Sequence, residues 1–145
     1  MPRVYVSSVI DASADRVWSI VRDFNGLPRW MPVVADSRIE GGQPPDKVGC
    51  IRNFNMKNGG NIREQLLSLS DYEYTCSYAI LESPMGVSNY TATLKLMPIT
   101  DGDRTFAEWT AEFDCAPERE TELINNIGGG VFQGGFDALK RAFGG

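Results

Sequence analysis

The sequence predicts an α+β fold, with a seven-stranded, curved antiparallel sheet, two short helices after the first strand and a long helix at the C-terminus. Three observations predict it. Apolar residues recur with a period of two through residues 33–114, and turn-forming residues interrupt that stretch at short intervals. One helical pattern of apolar residues follows the first strand, and another ends the chain. A sheet that curls around one long helix leaves a space between them.

The first part of the chain gives one strand and two short helices. Residues 3–10 alternate weakly and predict the first strand. Residues 14–22 form an amphipathic helix with Ser13 as its N-cap. The apolar positions of this helix follow the i, i+3, i+4, i+7 pattern and are Ala14, Val17, Trp18 and Val21. A second short helix is expected at 27–31, between Pro28 and Pro32.

Six further strands follow, and the residues between them are rich in glycine, proline, asparagine and aspartate. Short connections of this composition predict consecutive antiparallel hairpins. The strands are expected at residues 33–40, 48–56, 61–69, 73–82, 87–97 and 105–114. The apolar phase is split within 61–69, and a bulge near Leu67 would reconcile its two halves.

Residues 117–143 predict one long helix, with Pro117 in its first turn and Lys140 and Arg141 near its end. Five glycines oppose this prediction, namely Gly128, Gly129, Gly130, Gly134 and Gly135, since each costs about 1 kcal/mol relative to alanine. Two interpretations stay open. Either the chain breaks there into two helices, or the missing side chains make room for a ligand or for close helix–sheet packing. Helical spacing puts Gly130 towards solvent and Gly134 and Gly135 towards the pocket or sheet.

Composition excludes several classes of function. The 145 residues suffice for a single domain, 1–145, and their net charge of −5 argues against nucleic acid as a partner. The absence of histidine excludes Ser-His-Asp and Cys-His catalysis and every histidine-containing metal site, and we predict no metal and no cofactor. Three cysteines without a C-x-x-C motif indicate reduced thiols in a cytoplasmic protein. No apolar run approaches the roughly 18 residues of a membrane span, so we expect no stable insertion into a membrane. The sequence leaves open whether the protein forms a homodimer.

The strand phases point several polar and aromatic side chains inward. Tyr78, Tyr90 and Trp109 lie on apolar faces of their strands, and so do the charged residues Arg52 and Glu64. A three-residue loop over 58–60 would put Arg52 and Glu64 on one face, two positions from direct opposition and within diagonal reach. Two interpretations stay open: an ion pair that fixes the sheet register, or a polar anchor in a cavity.

Six stretches of the sequence match a known pattern in order and spacing, at residues 17–24, 27–34, 48–52, 63–66, 88–90 and 107–114. On them the chain resembles the SRPBCC superfamily, whose helix-grip fold is shared by START domains, the birch-pollen allergen family and the plant abscisic acid receptors. It is most similar to the branch of polyketide cyclases/dehydrases and lipid transport proteins. The resemblance implies that a small hydrophobic molecule, aromatic or polyketide-like, binds between the sheet and the C-terminal helix.

The resemblance also implies which residues bind. In the abscisic acid receptors a Glu and a Tyr at the positions of Glu64 and Tyr90 line the pocket. Together with the strand phases and the helix pattern, this gives eight expected ligand-binding residues, which are Arg52, Phe54, Glu64, Tyr78, Tyr90, Trp109, Val131 and Gly135. The chain has Met-Lys-Asn-Gly-Gly at 56–60 and Met-Gly-Val at 85–87, where the receptors carry Ser-Gly-Leu-Pro-Ala and His-Arg-Leu. A gated receptor for a phosphatase is therefore not implied.

Three functions stay open at this stage. The first is a binding protein with a cavity of roughly 300–1,000 Å³. The second is a polyketide cyclase/dehydratase-type enzyme, in which Glu64 is the general base, Tyr90 or Tyr78 the proton donor and Arg52 the group that stabilises an enolate. The third is a protein-interaction module, which a dry and filled interior would favour.

Overall fold

The computed structural model describes residues 1–144 and contains the predicted elements in the predicted order. The strands are β1 (Arg3–Ile10), β2 (Val34–Ile39), β3 (Ile51–Met56), β4 (Asn61–Ser70), β5 (Thr75–Glu82), β6 (Ser88–Ile99) and β7 (Arg104–Asp114). Two short helices, α1 (Ala14–Val21) and α2 (Leu27–Trp30), follow β1. The third strand begins later than predicted, because Val48 is 58% exposed and belongs to the preceding loop.

All seven strands form one antiparallel sheet in the order β1-β7-β6-β5-β4-β3-β2. Strands β2 to β7 are neighbours along the chain, as consecutive hairpins require, and β1 closes onto the last strand. The predicted bulge is confirmed, because the register of β4 and β5 shifts between Leu66 and Ser68. Leu67 therefore turns outward and is 42% exposed.

The C-terminal helix runs without a break through four segments. These are a 3-10 turn (Pro117–Arg119), α3 (Glu120–Asn125), a π-helical segment (Asn126–Phe132) and α4 (Gln133–Ala142). None of its five glycines has a positive φ, so the interpretation of two separate helices is wrong. The sequence did not predict the π-helical segment, at whose end the Gln133 N–H donates to the Gly128 carbonyl, five residues back.

The helical glycines have different surroundings. A Cβ on Gly135 would lie 2.8 Å from Met31 Sδ and 3.0 Å from a Trp109 ring carbon, so this glycine permits close helix–sheet packing. Gly130 faces open space, as predicted. Gly134 also has no atom within 4 Å of a built Cβ, so the prediction that it faces the pocket or sheet was wrong. The wide π turn rotates Gly134 out of the stripe that a regular helix would give it.

No helix within residues 1–144 combines the length and the apolar character that a membrane crossing requires.

Candidate functional site

A cavity of about 70 Å³ lies between the concave face of the sheet and the C-terminal helix. Seven of the eight predicted binding residues line it, namely Arg52, Phe54, Glu64, Tyr78, Tyr90, Trp109 and Val131. Gly135 does not line it and instead contacts the aromatic cluster behind it. Most of the remaining wall is aliphatic, and the polar groups are concentrated on β3, β4, β5 and β6.

The cavity is smaller than the volume expected from the sequence. An apolar cavity of about 150 Å³ holds a benzene molecule in other proteins, and this one has half that volume. The reason is aromatic packing. The rings of Trp109 and Phe132 stack with centroids 4.3 Å apart, and Trp30 and Phe136 each lie 5.7 Å from Trp109. Strand phase predicts that Trp109 points inward, but it does not reveal which helix residue covers the ring.

Arg52 and Glu64 form a buried ion pair in the cavity wall. They lie directly opposite each other on β3 and β4, so the predicted diagonal register was wrong. The turn lies at residues 57–59 instead of 58–60, because Gly59 takes a φ of 98° and the Met56 N–H donates to the Gly60 carbonyl. The two side chains are 6% and 7% exposed.

The guanidinium group of Arg52 uses three of its five N–H donors within the protein. Its Nε and Nη2 both approach Oε1 of Glu64, at 2.8 Å and 2.6 Å, and its Nη1 donates to the Phe24 carbonyl at 3.1 Å. Its Cζ lies 4.0 Å from the Phe24 ring centroid and 4.8 Å from that of Tyr78, within cation–π range. One N–H of Nη1 and one N–H of Nη2 remain without a partner in residues 1–144.

Two polar groups of the cavity make no hydrogen bond to any residue in 1–144. They are the Oε2 atom of Glu64, whose partner Arg52 binds only Oε1, and the Tyr90 hydroxyl. The Tyr78 hydroxyl accepts from Trp109 Nε1 at 3.1 Å and retains its own proton to donate. Buried polar groups are normally paired, so groups that stay free beside a cavity indicate a place for a ligand or for water.

Burial controls the protonation of these groups. It raises the pKa of Glu64, while the neighbouring Arg52 charge acts in the opposite direction. It also raises the pKa of Tyr78 and of Tyr90 well above the usual range, so both phenols stay protonated at neutral pH. The thiol of Cys76 is buried behind the pair with a pKa raised to about 11, which makes it a poor nucleophile.

Residues 1–144 match the family of polyketide cyclase / dehydrase and lipid transport proteins. The chain belongs to this family. The protein XoxI from Bacillus cereus is 30% identical, covers 99% of this chain and 96% of its own, and superposes with a TM-score of 0.87. A Thermobifida fusca protein is 32% identical over 99% of this chain and 94% of its own, with a TM-score of 0.90.

A plant hormone receptor is a more distant relative of this family member. The abscisic acid receptor PYL7 of Arabidopsis thaliana is 28% identical over 92 residues, which are 61% of this chain and 42% of the receptor. The match therefore spans less than half of the receptor's length. This match agrees with the resemblance to the abscisic acid receptors from which Glu64 and Tyr90 were predicted to bind a ligand.

Sequence reasoning missed three methionines that line the cavity of this family member, and they are Met31, Met56 and Met85. The three methionines lie in or beside the connections between elements, where strand phase carries no information. Methionine side chains are unbranched and adapt to irregular spaces. Their positions around one cavity give it walls that can rearrange around a bound molecule.

Proposed function

We propose that the protein binds a small, neutral and mainly apolar molecule that carries a hydroxyl group, with the hydroxyl held between Glu64 and Tyr90. The observation that carries this proposal is the pair of unused hydrogen-bonding groups, Glu64 Oε2 and the Tyr90 hydroxyl, in an otherwise apolar cavity. A ligand hydroxyl donates to the carboxylate and accepts from the phenol, so one group satisfies both.

Charge favours a neutral ligand. Arg52 is the sole cation among the residues that line the cavity within 1–144, and it is bound to Glu64 and to the Phe24 carbonyl. A ligand carboxylate would meet the free oxygen of Glu64 in a desolvated space, where like charges repel strongly. A neutral hydroxyl avoids this repulsion and leaves the ion pair in place.

The family supports a binding role without naming the ligand. Its description joins cyclases, dehydrases and lipid transport, and one distant relative carries the name of a hormone receptor. The small cavity alone would also suit an interaction module with a filled interior. A filled interior, however, does not explain why two polar groups inside it stay unpaired.

The cyclase/dehydratase alternative rests on the same carboxylate. Burial raises the pKa of Glu64, which is the direction that a general base at neutral pH requires. In that reaction Glu64 would take the α-proton of a β-hydroxy ketone, and the hydroxyl would leave as water with a proton from Tyr90. Incubation with such a ketone, followed by mass spectrometry for loss of water, tests this alternative. If the wild type turns the ketone over and Tyr90→Phe abolishes that turnover, the protein is an enzyme and the binding proposal is wrong.

The binding proposal is tested by fluorescence titration with three matched probes. These are 2-naphthol, which is neutral and hydroxylated, naphthalene, which lacks the hydroxyl, and 2-naphthoate, which is anionic. We expect 2-naphthol to bind at least tenfold more tightly than either of the others. Tyr90→Phe should remove most of the preference over naphthalene, and the control Tyr72→Phe, at a side chain that is 95% exposed, should not. Equal affinity for all three probes, or no binding, would refute the proposal.

A further inference from the structure

The π-helical segment at Asn126–Phe132 contains the run Gly128–Gly130 and three cavity-lining side chains, those of Ile127, Val131 and Phe132. A π turn holds about one residue more than an α turn and occurs frequently at functional sites. Helix faces before and after such a turn are therefore offset by one residue. The glycine run lies where this offset occurs, and the proposed function does not account for it.

The sequence offers an apolar face in both possible registers of the first half of this helix. In the present register Leu123 and Ile127 face the core, and each is 2% exposed. If the helix were α-helical throughout, counting back four residues at a time from Phe132 would put Gly128 and Ile124 on that face. Ile124 is already half-buried against the core, so the second register also has an apolar side chain to bury.

We infer that the π-helical segment is a register switch that sets the size of the cavity. This inference rests on the proposed function and explains how a ligand enters a cavity of about 70 Å³. When the π turn relaxes to an α turn, the segment before it rotates by about 100°, the angle of one residue. Gly128 then replaces Ile127 at the cavity wall, and the volume of the isoleucine side chain becomes available to the ligand.

The same rotation acts on the mouth of the cavity. Arg119 precedes α3, and its Nη1 donates to the carbonyl of Met85, a cavity-lining residue, at 2.7 Å. The Arg119 side chain also packs directly on Gly86, where a Cβ would clash with that nitrogen. Rotation of the helix start moves Arg119 and breaks this bond, which releases the loop that carries Met85. Wall and mouth therefore open together.

The switch is tested on the ligand-free protein by relaxation-dispersion NMR of isoleucine methyl groups, because helix register shifts occur in microseconds to milliseconds. We expect exchange at Ile124 and Ile127 and none at Ile10, which is fully buried at the end of β1. Deletion of Gly129 removes the extra residue and leaves an α-helix in the present register. The deletion should abolish this exchange and weaken binding of 2-naphthol at least tenfold.

A second variant does not depend on the folding of the deletion protein. Ile124→Gln keeps a good helix former at a half-buried position, but the second register would have to bury its amide. It should suppress the exchange, whereas the matched control Thr121→Gln, at an exposed position of α3 outside the π-helical segment, should not. Absence of exchange in the wild type, or equal exchange in Ile124→Gln, would overturn the switch.

The outcomes separate this inference from the function on which it rests. If 2-naphthol binds to wild type and to the Gly129 deletion with equal affinity, the switch is refuted and the proposed binding function stands. If the methyl groups exchange as expected but none of the three probes binds, the switch stands as a property of the helix and the binding function is refuted.

Discussion

Arg52 and Glu64 lie directly opposite each other on β3 and β4, and the guanidinium group places two donors on one oxygen of the carboxylate. The second carboxylate oxygen stays free and belongs to the wall of the cavity. Burying such a pair costs several kcal/mol per ion, and replacing both by apolar residues is often neutral or stabilising. The pair therefore calls for a reason beyond stability, and binding supplies one.

The first prediction concerns the two halves of this pair. Arg52→Met leaves an uncompensated carboxylate in the interior, so the free energy of unfolding should fall by about 3 kcal/mol or more. The double variant Arg52→Met, Glu64→Leu should lose much less, or nothing. Urea denaturation of both variants measures the difference. As a control, Arg29→Met, whose side chain is 77% exposed, should change stability by about 1 kcal/mol or less.

The stable double variant then separates the two interpretations of the pair. If it no longer binds 2-naphthol, the carboxylate is a ligand anchor. If it binds with wild-type affinity, the pair serves only to fix the register of β3 and β4, and the anchoring role of Glu64 is wrong.

The second prediction concerns acid stability and a different ion pair. Hydrogen bonds from Arg63 and Asn53 lower the pKa of Glu40 from its ordinary value of 4.5 to about 2. A carboxyl whose pKa is lower in the folded state stabilises the fold above its unfolded pKa. That contribution is lost as the pH falls from about 4.5 to about 2.

Glu40→Gln should therefore flatten the dependence of stability on pH in this range, as measured by denaturation at several pH values. Glu82→Gln is the matched control, since it removes the other carboxylate on Arg63 and keeps both bonds to Glu40. A steeper dependence in Glu40→Gln than in wild type would contradict the assignment.

The third prediction concerns adjacent glycines on the C-terminal helix. Gly134→Ala should stabilise the protein by up to about 1 kcal/mol, because its Cβ meets open space and alanine favours the helix. Gly135→Ala should destabilise it by roughly 1–3 kcal/mol, because its Cβ would press on Met31, Trp109 and Trp30. Thermal unfolding of the two neighbours measures both effects. Equal losses at both positions would show that the backbone is not helical there.

The fourth prediction concerns the turn between β4 and β5. Oδ1 of Asp71 accepts hydrogen bonds from Trp18 Nε1 and Arg22 Nε, both at 2.7 Å, and so attaches this turn to α1. Asp71→Ala should cost about 1 kcal/mol, since it leaves the indole donor without a partner. Glu73→Ala, in the same exposed turn, should cost less. Chemical denaturation compares the two, and an equal effect would refute the role of Asp71.

Much of the fold could be predicted because strand phase and turn composition are local signals. Arg52 and Glu64 stand out as charged residues on apolar faces of strands, and the split phase at Leu67 indicates a bulge. Their relative register depends instead on the conformation of the 56–60 loop. The positive φ at Gly59 and the bond from Met56 to Gly60 place the turn at residues 57–59, and the sequence alone does not distinguish this from a turn at 58–60.

The size of the cavity could not be predicted because it depends on how two distant elements meet. Phe132 lies in the π-helical segment, and it stacks on Trp109 from β7. A regular periodicity of 3.6 residues per turn assigns each helix residue to one face, and it cannot represent the additional residue of a π turn. The glycine run marked this segment as unusual, but the sequence, which predicts one long helix, left a break open there and gave no sign of a π turn.

The most direct test of the proposed function is a crystal structure of the protein with 2-naphthol bound. We predict that the rings lie beneath the C-terminal helix and that the hydroxyl oxygen is within hydrogen-bonding distance of Glu64 Oε2 and the Tyr90 hydroxyl. A ligand that binds only on the outer surface, or inside with its hydroxyl turned away from both residues, would contradict the account.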